Sequence, residues 1–115
     1  MADQERRAFP RIKDEALSLE LKTGDFDVMT HTMDVSASGI YCKVDKEIPL
    51  MSRVRLMLML PDEKTVEVTG VVVREHPVII DGVTKHYDVA IFFDDLSTKN
   101  RETIENYISK KRLKQ

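Results

Sequence analysis

At 115 residues the chain has the length of one domain with a single modest core. Its 42% hydrophobic and 33% charged residues are the balance of a globular protein rather than of a disordered chain, and a formal net charge of −2 excludes a nucleic-acid binder of the strongly basic kind. No apolar run approaches the roughly 20 residues of a membrane span, and Met1-Ala2-Asp3-Gln4-Glu5 does not open like a signal peptide, so a cytoplasmic location is expected.

Residues 1–13 show no apolar periodicity, and Pro10 denies Phe9 a helical conformation. They are expected to form an ordered loop leading into the first strand, with Phe9 and Ile12 as anchors. From Leu17 the pattern alternates: Leu17, Leu19 and Leu21 against Ser18, Glu20 and Lys22, a half-buried strand. Thr23-Gly24-Asp25 reads as a turn, and Val28 to Val35 as a second strand. Ser36-Ala37-Ser38-Gly39 interrupts the run, and Ile40 to Val44 resumes the alternation. Val54, Leu56, Leu58 and Leu60 mark the next strand. Val66 and Val68 lie on one parity and Val71 and Val73 on the other, with Gly70 at the switch, where a bulge would restore the facing. Asp81-Gly82 is a hairpin signal, and Val89, Ile91 and Phe93 mark a strongly apolar last strand.

At Ser97, a plausible N-cap, the period becomes helical, with Ile104, Tyr107 and Ile108 as the apolar stripe and Leu96 extending it. Asp94-Asp95 before the helix reads most simply as a partner of the helix dipole. Lys110, Lys111, Arg112 and Lys114 complement its other end. About six short strands followed by one helix predict a mainly β fold: a small antiparallel barrel over residues 14–96 with a helix packed on it, residues 97–115 being that helix and a basic tail. Cys42, the one cysteine, excludes an internal disulfide and shares a face with Ile40 and Val44, so it reads as core. His31, His76 and His86 have no metal-ligand spacing, and no cofactor, metal or catalytic residue is expected.

Two polar stretches carry the chemistry. Glu5-Arg6-Arg7-Ala8-Phe9-Pro10-Arg11 brings three guanidiniums, planar donor forks that match phosphate oxygens or the O6 and N7 edge of guanine. In Asp34-Val35-Ser36-Ala37-Ser38-Gly39, Asp34 can accept from the N1–H and exocyclic amine of guanine. Ser36 can donate to or accept from base or phosphate. Gly39 allows either a close backbone approach or a positive φ. A guanine nucleotide satisfies both stretches at once. Taken alone, the second string is also an ordinary turn closed by an Asx hydrogen bond.

Arg7-Ala8-Phe9-Pro10-Arg11, followed some two dozen residues later by Asp34-Val35-Ser36-Ala37-Ser38-Gly39, resembles the Arg-x-x-x-Arg and Asp/Asn-x-Ser-x-x-Gly signature of the PilZ domain family, bacterial receptors for the second messenger cyclic di-GMP. The likeness runs on through the valine-rich strand ending at Arg74, the Val89–Phe93 strand and the helix. It implies a six-stranded barrel on which Asp34, Ser36 and Gly39 hold the ligand while a mobile loop carrying Arg7 and Arg11 closes over it. An arginine just before the first motif arginine, as Arg6 is here, implies binding of an intercalated pair of ligands. Arg74 either lines the same surface or is an exposed strand end. The implied partners are cyclic di-GMP and a downstream protein in motility, exopolysaccharide synthesis, virulence or biofilm control. DNA, RNA and membrane insertion are not expected, and the chain is expected to be a monomer. The competing readings are a PilZ-like interaction module without a ligand, an enzyme, and an OB-like single-strand binder; the last is poorly served by 6% aromatic residues and no tryptophan.

Overall fold

The leucine alternation at the start of the barrel is realised in the computed structural model, which describes residues 11–13, 17–24, 26–61 and 64–114. Leu17, Leu19 and Leu21 are buried, on and beside β2 (Ser18–Lys22), while Ser18, Glu20 and Lys22 are half-buried. The other strands are β1 (Arg11–Lys13), β3 (Asp27–Ser36), β4 (Gly39–Val44), β5 (Arg53–Met59), β6 (Thr65–Ile80) and β7 (Val83–Asp95), followed by helix α1 (Thr98–Lys114). All pairings are antiparallel. The order β3-β2-β5-β6-β7-β4 returns to β3 through a β3–β4 pairing, which closes a six-stranded barrel and leaves no edge along the closed circuit. β1 pairs with the end of β3 beyond β2, so strand pairing already begins at Arg11, inside the stretch expected to be a loop.

The inward positions fill the interior: Val35 on β3, Ile40, Cys42 and Val44 on β4, Val54, Leu56 and Leu58 on β5, and Val89, Ile91 and Phe93 on β7. On β6 the buried series is Val66, Val68, Gly70 and Val72, without a change of parity at Gly70. The bulge expected at Gly70 is present, but on β7 rather than on β6, so it leaves the facing of β6 unchanged. At Thr69/Gly70 the extra residue is Asp94 on β7, and between Val72 and Arg74 it is Val73, which stands 52% exposed. Asp81 (φ 54°) and Gly82 (φ 78°) make the β6–β7 turn, the left-handed pair that an Asp-Gly hairpin favours.

Helix α1 lies against β1, β3 and β6 and buries Ile104 and Ile108, with Tyr107 and Leu96 packed at the margin. Ser97 is its N-cap: its Oγ accepts the Asn100 N–H at 3.1 Å. The Asn100 amide donates to the Glu67 carbonyl at 3.0 Å, tying the first turn to β6. Asp94 does not serve the helix dipole. Its carboxylate takes the Arg53 guanidinium and the Thr69 hydroxyl, which lower its pKa from the usual carboxylate value and fasten β5, β6 and β7 together. Among the described residues no helix is long and apolar enough to cross a membrane.

Two stability predictions follow from these contacts. Ser97→Ala removes the cap and should cost about 1 kcal/mol, lowering the thermal midpoint by roughly 4–8 °C; an unchanged midpoint would contradict the capping role. Burial, and secondarily Asp88, pushes the Cys42 thiol up to about 12. The buried thiol stays protonated where the unfolded one ionises, so its contribution is complete below the unfolded value near 9 and is lost as pH rises from about 9 to 12. Chemical denaturation should show this alkaline loss in the wild type and a shallower one in Cys42→Ala.

Candidate functional site

Which way Asp34 faces is decided one residue earlier. Along β3, Val28 and Thr32 are buried on one parity and Val35 on the other. The change falls at a bulge: Thr32 pairs with Cys42 and Asp34 with Tyr41, so Met33 is the extra residue. Without it, strict alternation would bring position 34 onto the core side with Val28 and Thr32. With it, Asp34 is half-buried on the outer surface and Val35 takes the interior, the re-aiming for which such bulges are used.

The next residues form the two-residue β3–β4 turn, in which Ser36 is opposite Gly39. Ser36 is 1% exposed. Its Oγ accepts the Ser38 N–H at 3.1 Å, lies 2.9 Å from the Ser38 hydroxyl and is 3.4 Å from the Gly39 carbonyl. The turn is thus closed by the serine of the motif rather than by the aspartate, and the Ser38 carbonyl accepts the Phe93 N–H at 3.0 Å, anchoring it to β7. Of the two roles open to Gly39, the structure supplies close approach: a Cβ there would stand 2.3 Å from the Ile91 carbonyl oxygen.

The first stretch arrives beside the second. β1 pairs Arg11 with Ser36, Ile12 with Val35 and Lys13 with Asp34, and Ile12 is buried. Arg11 is thereby placed by its backbone at the motif turn. Arg6 and Arg7 lie outside the described residues.

Following the register across the outer face gives a row that sequence reasoning did not assemble. Lys13, Asp34, Tyr41, Ala90 and Arg74 are successive cross-strand partners on β1, β3, β4, β7 and β6. Arg74 is exposed in mid-strand rather than at a strand end, and so shares Asp34's surface. The flanking row runs from Arg11 through Ser36, Gly39 and Phe92 to Val71, and Phe92 is 53% exposed. On the other flank are Lys43, Asp88 and His76. The Tyr41 phenol is pushed up by burial, then by Asp88 and Asp34, against an opposing effect of Arg74, so it remains a neutral donor at physiological pH. His86 Nε2 stands 3.2 Å from Asp88 Oδ1, close enough for an ion pair but without hydrogen-bond alignment. The available signal for this row was the two-residue turn, which fixes Tyr41 opposite Asp34 by counting.

A separate cleft of about 530 Å³ opens where β3 and β4 diverge, lined by Asp27, Met29, Thr30, Lys43, Lys46 and His86 among others. There the Thr30 hydroxyl donates to the Lys43 carbonyl at 2.6 Å. No group of three or more His, Cys, Asp or Glu among the described residues is arranged to hold a metal ion.

Fold and register together define a small antiparallel β-barrel domain with an open polar patch at a strand seam. The family model for the PilZ domain matches residues 5–110, and the chain belongs to that family. This is a ligand-binding family rather than a known enzyme family. None of the curated proteins matches the chain. Among solved structures, the Bacillus subtilis inhibitor of motility MotI/DgrA is similar at 17% identity and TM-score 0.82, covering 96% of this chain and 53% of its own. The K. pneumonia MrkH–c-di-GMP complex is similar at 16% identity and TM-score 0.77, covering 95% and 53%. The PilZ domain of Escherichia coli YcgR with c-di-GMP is similar at 13% identity and TM-score 0.71, covering 93% and 92%. The chain therefore spans about half the length of MotI/DgrA and MrkH, and nearly all of the excised YcgR domain.

Gly39→Ala forces a methyl group onto the Ile91 carbonyl. It should cost about 1–3 kcal/mol or more and lower the melting midpoint by roughly 5–15 °C with no ligand present. A midpoint equal to that of the wild type would show that β4 and β7 need no such approach.

Proposed function

We propose that the chain is a bacterial cyclic di-GMP receptor, with Arg6, Arg7 and Arg11 gripping phosphates and base edges, and Asp34 holding a guanine Watson–Crick edge beside the Ser36–Gly39 turn. The observation that supports this reading is the register of β1 on β3, which pairs Arg11, the last residue of the first motif, with Ser36 and Lys13 with Asp34. It is supported by the family match and by similar structures that contain c-di-GMP, among them those of MrkH and YcgR.

In this reading the protein is a receptor and not an enzyme. Ligand contacts draw the arginine stretch onto the barrel, and their differential free energy drives the shift. The surface so formed engages a downstream protein of motility, exopolysaccharide or biofilm control. Arg6 adds a third guanidinium, which stacks on a guanine and helps offset the charge of a second ligand, giving an intercalated pair on a monomeric protein in the cytoplasm. A second reading, an interaction module without a ligand, draws on one specific observation: Ser36 and Gly39 are already needed by the turn and by the approach to Ile91.

Calorimetric titration with cyclic di-GMP, with GTP as control, distinguishes the two. The receptor reading expects selective binding at two ligands per chain. Arg7→Ala and Arg11→Ala should each weaken it at least about tenfold, since a charge-assisted hydrogen bond contributes about 1.5–3 kcal/mol. Asp34→Ala should weaken binding without lowering the melting midpoint. Saturation at one ligand would remove the pair, and unchanged affinity in both arginine variants would remove the site.

A further inference from the structure

Ala90 is the one short side chain in the outer row between Asp34 and Arg74. It sits on β7, with Tyr41 directly opposite on β4 and Arg74 directly opposite on β6. Neighbouring strands are about 4.8 Å apart, so the two flanking residues are based about 9.6 Å apart with only a methyl group between them. A planar ring stacked between two planar groups needs about 7 Å. A phenol ring and a guanidinium are both planes on which nucleobases stack. Along β7 the same face continues to the exposed Phe92 on one side and to Asp88 on the other.

The charges select what the slot accepts. Asp34 and Asp88 both act on Tyr41, and Arg74 alone opposes them. With Arg74 in the row and Lys43 opposite Asp88 the surroundings are of mixed charge, and the two carboxylates supply hydrogen-bond acceptors at the margin of the slot. They favour a neutral base that presents N–H donors, and a half-buried neutral phenol adds a donor of its own.

We propose that Tyr41, Ala90 and Arg74 form a nucleobase slot, in which one purine of the bound nucleotide lies over Ala90 between the Tyr41 ring and the Arg74 guanidinium. The slot rests on the cyclic di-GMP reading above and assigns to Tyr41 and Ala90 a role in specificity that the two motifs do not cover.

The test is a cyclic di-GMP titration of wild type, Ala90→Leu, Tyr41→Leu and Tyr41→Phe, with tyrosine fluorescence recorded alongside the heat. Ala90→Leu fills the slot and Tyr41→Leu removes a wall; each should weaken binding by about five- to one-hundred-fold, the range expected for loss of one base stack. Tyr41→Phe keeps the ring and should retain most of the affinity. Wild-type fluorescence should change at saturation, and this change should vanish in Tyr41→Leu. If Ala90→Leu does not fold, Tyr41→Leu at its outward position carries the test. Wild-type binding that both leucine variants match would overturn the slot and leave the receptor reading standing. A wild type that binds no cyclic di-GMP would overturn both.

Discussion

A single extra residue, Met33, sets the facing of everything that follows it on β3. The bulge lets Thr32 and Val35 both point inward although they stand on opposite parities, and the residue between the bulge and Val35, Asp34, is turned to the outside. Immediately beyond, β4 must run close against β7, because Ser38 accepts from Phe93 and Gly39 leaves no room for a Cβ beside the Ile91 carbonyl. These two constraints bring the end of β3, the turn and β7 into one seam. β1 then adds to that seam and carries Arg11 with it.

The motif residues consequently divide by task. Ser36 is buried and closes the turn, and Gly39 permits the approach of two strands, so both shape the surface from beneath. Asp34 is the member of its motif on the outer row, in line with Tyr41, Ala90 and Arg74. β1 sets the Arg11 backbone beside the turn, while the outer row carries Asp34 and Arg74, with Lys43 and Asp88 on its flank.

Much of the fold was legible because burial follows a period of two on one-sided strands. Leu17 to Leu21, Ile40 to Val44, Val54 to Leu60 and Val89 to Phe93 all face as their alternation predicts, and the Ser97 cap and the Asp81-Gly82 turn are local signals that act locally. The misreadings have a common cause. A bulge is an agreement between two strands, so one strand's sequence does not say which of them carries it: the valines of β6 pointed to Gly70, where a bulge does fall, but its extra residue is Asp94 on β7, and the extra residue on β6 is Val73. The Met33 bulge gave no signal either, and β1, three residues long, is too short for any period to show. The motifs located the seam, but the outer row became visible only through register, since Asp34, Arg74 and Ala90 are far apart in the chain and meet by pairing.

The most direct test of the seam as the binding surface is an amide chemical-shift map of the protein titrated with cyclic di-GMP. The account predicts that the largest changes fall on residues 34–41, 74 and 88–92, with the helix and the cleft between Asp27 and Lys46 little affected. Changes centred on that cleft, or spread along α1, would contradict it.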